Sequence, residues 1–267
     1  AAADRDAPRP RACAVVLELT GAADTPSVPG LPAVDASSPW LLPLTRLIAR
    51  LAQVALIGFA LAAAALLPSE GRSLSPQAWQ AIRRAAVAGG VWAAAQIVMV
   101  PLTAANLLGV APWSLSMNRV ISTLREVDTG RTLMLDIGFA IVCAALAAWT
   151  LRRSGAIAVL VVALIAVVPQ AASGHASAAG DHQLAVSGLF LHLGGILIWS
   201  GGLLAVVLGA RAMTSPMLAA AARRYSAIAG PAAAVAVLSG LLAAELRLGF
   251  LPSRWFTTDY GLVVLVK

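Results

Sequence analysis

Leu184-Ala185-Val186-Ser187-Gly188-Leu189-Phe190-Leu191-His192-Leu193-Gly194-Gly195-Ile196-Leu197-Ile198-Trp199-Ser200-Gly201-Gly202-Leu203-Leu204-Ala205-Val206-Val207-Leu208-Gly209-Ala210 runs without a single Asp, Glu, Lys or Arg. A helix needs about 20 apolar residues to cross the hydrocarbon core of a bilayer, so this stretch is long enough to span it. Working outward, five comparable runs emerge: 47–67, interrupted only by Arg50 and Gln53, then 85–110, 132–151, 156–173 and 225–246. A seventh opens at Tyr260–Val266 and stops with the chain at Lys267. The expected fold is all-α: a polytopic transmembrane helix bundle of six complete spans plus the start of a seventh. Because the sequence also starts at Ala1 without an initiator methionine, we expect a segment of a longer polypeptide, with a signal or helix upstream.

Composition agrees. Hydrophobic residues make up 60% of the chain, charged residues 12%, and mean hydropathy is +0.84. Soluble domains carry about 25% charged residues, so a soluble enzyme is excluded. The net charge of +7 raises the question of nucleic acid, but its distribution answers it. Arg72, Arg83, Arg84, Arg152, Arg153, Arg211, Arg223 and Arg224 collect in the first, third and fifth loops with one acid, Glu70. Arg119, Arg125, Arg131, Arg247 and Arg254 lie in the alternate loops, balanced by Glu126, Asp128, Asp181, Glu245 and Asp259. Eight arginines against five place the first set on the cytoplasmic side. The partner implied is the lipid bilayer of a bacterial plasma membrane, crossed many times, and not nucleic acid.

Residues 1–40, with Pro8, Pro10, Pro26, Pro29, Pro32 and Pro39, form an extracytoplasmic Pro/Ala-rich tail. The N-terminal transmembrane helices occupy 41–170. Ser75–Arg84 reads as a short interfacial helix opened by Ser-Pro, and Trp113–Glu126 as a similar piece on the other side. Trp40, Trp113 and Trp255 fall at water–lipid boundaries. Pro101, Pro169 and Pro231 kink the second, fourth and sixth spans. Cys13 and Cys143 form no metal-type or disulfide framework, and Cys143 reads as a small buried residue.

The three histidines, His175, His182 and His192, lie within 18 residues at the outer ends of the fourth and fifth spans. An ionisable group at membrane depth points to function by default. His192 shares a stripe with Gly188, Gly195, Trp199 and Gly202, whose 4-3-4-3 spacing puts them on one helix face and turns His192 into the bundle. The bland alternative is a packed histidine bonded to a neighbouring carbonyl. Asp136, Asn106, Glu245, Thr258 and Tyr260 fall at the same outer level. Imidazoles beside a carboxylate suit copper, zinc or nickel, and Met117 and Met134 offer soft ligands for Cu(I), although methionines at such places are more often filler. No HExxH, P-loop or GxSxG is present, so no enzyme is expected.

At these residues the chain resembles the copper-resistance D (CopD/PcoD) membrane proteins. The resemblance rests on Ser173-Gly174-His175-Ala176, Leu191-His192-Leu193, Ile198-Trp199-Ser200-Gly201-Gly202-Leu203, Arg224-Tyr225-Ser226-Ala227-Ile228-Ala229, Ser239-Gly240-Leu241 and Thr258-Asp259-Tyr260-Gly261-Leu262-Val263-Val264-Leu265-Val266-Lys267. The last departs from the family's signature by one place at Leu265. The resemblance is fullest from about 170, which makes 171–267 a CopD-like transmembrane domain truncated at its C-terminal end. Leu19–Asp24, Val87–Trp92 and Val100–Thr103 resemble the actinobacterial form, which is fused to a CtaG-like cytochrome c oxidase assembly domain.

The resemblance implies a copper ion as ligand, contacted by His175, His192 and His182; Asp136, Glu245 and Tyr260, by their level, and Trp199, by its place on the stripe, are the supporting candidates. It implies copper transport or delivery with a CtaG-like domain or cytochrome c oxidase as partner. Two other readings stand beside it. One is a haem-b electron-transfer protein using two histidines on adjacent helices; the other is a metal-free oxidase-assembly scaffold.

Overall fold

The computed structural model describes residues 40–173 and 182–248. Among them, six helical segments are long and apolar enough to cross a membrane: Leu41–Leu66, Pro76–Leu108, Asp128–Trp149, Arg153–Ala172, Gln183–Ala212 and Ser215–Glu245. Each overlaps one of the six apolar runs. The seventh run, the N-terminal tail, Trp255, Thr258 and Tyr260 lie outside the described residues.

Helix α1 (Leu41–Leu61) ends in a π-turn, Ala62–Leu66, and a two-strand hairpin follows, β1 (Ser69–Glu70) with β2 (Ser73–Leu74). Helix α2 (Pro76–Leu108) starts where the Ser75 hydroxyl accepts from the Ala78 amide at 3.3 Å, with Pro76 in the first turn, where its missing N–H costs nothing. It ends at Gly109, whose φ of +64° suits glycine. The separate interfacial helix expected at 75–84 is instead the first part of α2, because nothing between Arg84 and Ala85 breaks helical backbone. Arg83 therefore lies over the Trp79 ring and Arg84 over Phe59, each 5.8 Å from the ring centre.

A short amphipathic helix, α3 (Met117–Glu126), leads into α4 (Asp128–Trp149). The fourth span is broken into α5 (Arg153–Ile165) and α6 (Val167–Ala172) at Ala166. Pro169 explains the break, since its ring clashes with the carbonyl four residues earlier, on Ile165. Helices α7 (His182–Gly209) and α8 (Ser215–Leu248) complete the bundle. Helix α8 begins ten residues before the expected Tyr225, so Arg223 and Arg224 are helical rather than in a loop.

Arg224 and Arg153 hold the end of α1. Arg224 Nη1 donates to the Leu66 carbonyl at 3.0 Å and Arg153 Nε to the Ala64 carbonyl at 2.7 Å. The last carbonyls of a helix lack backbone donors, and cations there also suit the helix dipole.

The core is built from small residues around α1. Leu56, Ile57 and Ala60 of α1 are fully buried, with Trp92 and Ala85 of α2, Cys143 of α4 and Val159 of α5 around them. Gly58 of α1 and Gly201 of α7 meet backbone to backbone, and Gly195 faces the Ala232 carbonyl of α8. Between helices in lipid no hydrophobic drive exists, and such close approach supplies the attraction. Large apolar side chains point outward: Leu51, Val87, Val98, Val237 and Leu238 are all more than half exposed. Trp40 and Trp113, at segment ends, are exposed as boundary residues should be.

Candidate functional site

Four spans send polar side chains to one place. Asp136 of α4 is buried, and its Oδ2 accepts from Gln96 Nε2 of α2 at 2.7 Å. Gln170 Nε2 of α6 donates to both Asp136 oxygens, at 3.1 and 3.2 Å. The Gln170 carbonyl oxygen in turn accepts from Arg50 Nη1 of α1, which also donates to Gln53 Oε1 at 3.1 Å. The arginine thus reaches the carboxylate through an amide that orients both. In a medium without water, each polar group must find a partner inside the protein, and this chain of contacts does that for most of its members.

Beside the network lies a cavity of about 260 Å³, which Arg46, Arg50, Gln96, Thr103, Asp136 and Gln170 help to line. Thr103 Oγ1 and Gln96 Oε1 are buried and have no partner among the described residues; neither has Gln53 Nε2, beside the network. The network sits toward the start of α1 and α4 and the end of α2 and α6, away from the arginine-capped end of α1.

His192 falls elsewhere. His175 lies outside the described residues, and His182 opens α7 with its side chain undescribed. His192 is half-buried, its Nδ1 2.7 Å from the Ala236 carbonyl of α8, and its ring packs against Gly240. A carbonyl only accepts, so Nδ1 carries the proton, and in the neutral ring Nε2 keeps its lone pair. The stripe's contacts are with α8: Gly195 meets Ala232 and Ala236, and Gly202 meets the Tyr225 ring. Trp199 is 46% exposed, and its contribution there is a carbonyl that accepts from Tyr225 Oη at 2.7 Å.

Glu245 Oε1 is buried with no described partner. Asn106, Met117 and Met134 are exposed on the bundle surface, so the two methionines are placed as outward filler. Among the described residues, no three His, Cys, Asp or Glu side chains come together in a way that could hold a metal.

In the sequence Asp136 stands out, and Arg50 and Gln53 appear as interruptions, while nothing there marks Gln96, Thr103 or Gln170 as site residues. One signal was available: Gln170 is the only amide or charge between Ala156 and Ser173.

A family model described as "Copper resistance protein D-like, N-terminal domain" matches residues 35–185, more than half of the 267-residue chain. This chain belongs to the copper resistance protein D-like family. Curated proteins and solved structures gave no match. In this copper resistance protein D-like chain, the matched stretch contains α1 to α6 and the start of α7. The Arg50–Gln170–Asp136–Gln96 network therefore lies wholly inside the family domain, and His192 lies beyond it.

Proposed function

We propose that this multi-pass membrane protein handles copper at a bacterial plasma membrane, taking the ion up or delivering it, with no bond-making chemistry of its own. The family match is the observation that carries the reading. His192 supports it in atomic terms. Histidines that bind metal through one ring nitrogen commonly donate the other N–H to a carbonyl or carboxylate, which fixes the ring and the tautomer. The Nδ1 contact with Ala236 is of this kind, and it is also the contact that a packed histidine makes; in the copper reading Nε2 is the atom offered to the ion.

His175 and His182 belong to the same reading as further contacts, His182 as a capture group nearer the surface. Loading is from the extracytoplasmic side, by the arginine asymmetry of the loops. A CtaG-like domain and cytochrome c oxidase are the recipients in this scheme.

In cells with equal membrane levels of each variant, His192→Ala should abolish the copper-dependent phenotype. His182→Ala should weaken it by less than the roughly 10–100-fold typical of losing a supporting group. An unchanged phenotype in His192→Ala would make this histidine a packing residue. A Soret band in the purified protein would replace copper by haem.

A further inference from the structure

We propose that the cavity between α1, α2, α4 and α6 is a binding site for an oxoanion group, phosphate or carboxylate, separate from the copper-contacting histidine. Charge is the first reason. Arg46 and Arg50 stand one turn apart on α1 and both line the cavity, against a single lining carboxylate, Asp136. That carboxylate already accepts three bonds from Gln96 and Gln170, so it neutralises Arg50 only through an amide. Arg46 has no acceptor among the described residues, and Arg50 commits only Nη1. Two guanidinium forks with unused N–H groups match an oxoanion's oxygens, whereas a bare copper cation would meet net positive charge.

Buried polar atoms are the second reason. Thr103 is 4% exposed, it is among the residues around the cavity, and its hydroxyl has no partner among the described residues. Leaving such a group unsatisfied costs about 1–3 kcal/mol, and a hydroxyl is a donor that an oxoanion can use.

The third reason is α4. Thr129, in its first turn, lines the cavity, and no side chain caps the helix start. The start of a helix carries partial positive charge. Asp128 beside it is exposed and lies 3.9 Å from Arg131, which offsets its charge. At about 260 Å³ the space far exceeds the roughly 10–15 Å³ that one water needs.

The oxoanion has two sources, a free ion or a phospholipid headgroup. Copper-free full chain in detergent would be titrated with inorganic phosphate, against chloride at matched ionic strength, while following thermal unfolding. In parallel, native mass spectrometry would look for retained phospholipid. A phosphate-dependent rise in Tm without retained lipid assigns a free anion. One retained phospholipid per chain assigns a headgroup. In either case Arg46→Gln should weaken the effect by roughly tenfold or more, Thr103→Val should weaken it less, and both should leave copper binding intact. No phosphate shift and no retained lipid in the wild type would overturn the proposal. So would effects in Arg46→Gln equal to those in the wild type.

Discussion

A carboxylate eight residues into a membrane-crossing helix needs partners, and Asp136 has two amides that point their N–H groups at it. Replacing it tests whether they form one unit. Asp136→Asn keeps an acceptor oxygen and should cost about 1 kcal/mol. Asp136→Leu strands the N–H groups of two buried amides, a loss of about 1–3 kcal/mol for each. Thermal unfolding in detergent reads the difference, and equal stability of the two variants would show that the network is incidental. Asp136 was legible in the sequence because a charge inside an apolar run is conspicuous. Gln96 and Gln170 were not, because an uncharged amide becomes informative only when its partner is known, and their partner is 40 and 34 residues away. His192 shows the opposite case: its stripe correctly put it against another helix, while the bonded carbonyl of Ala236 comes from α8, which no spacing within α7 could indicate.

The elements follow from hydropathy more closely than the site does. All six runs became spans, since no other structure satisfies twenty consecutive backbone groups in lipid. Their ends were harder. Apolar runs stop at charge but helices do not, so α2 and α8 continue through Arg83–Arg84 and Arg223–Arg224. Only Pro169 visibly divides a span. What holds spans together is the absence of side chains at crossings. A β-carbon on Gly201 would stand 2.6 Å from the Val54 carbonyl oxygen of α1. Gly201→Val should therefore force α1 and α7 apart and cost upwards of about 1–3 kcal/mol. Gly138→Ala, where a β-carbon meets nothing within 4 Å, should be neutral or mildly stabilising. The yield of monodisperse protein and its Tm would check the pair, and equal behaviour would remove the glycine crossing as a source of stability.

As a whole, the molecule has its large apolar side chains outside, its smallest residues inside, and its polar groups divided between two ends. At one end arginines hold the last carbonyls of α1; toward the other lies the Asp136 cavity. The family domain covers the cavity and stops before His192. A copper role centred on His192 is therefore a claim about the second part of the chain. Equilibrium dialysis of the purified full chain against Cu(I), with copper measured per chain, addresses it most directly. The account predicts stoichiometric copper in the wild type and in Arg46→Gln, and its loss in correctly inserted His192→Ala. No bound copper in the wild type, or the same amount in His192→Ala, would contradict it.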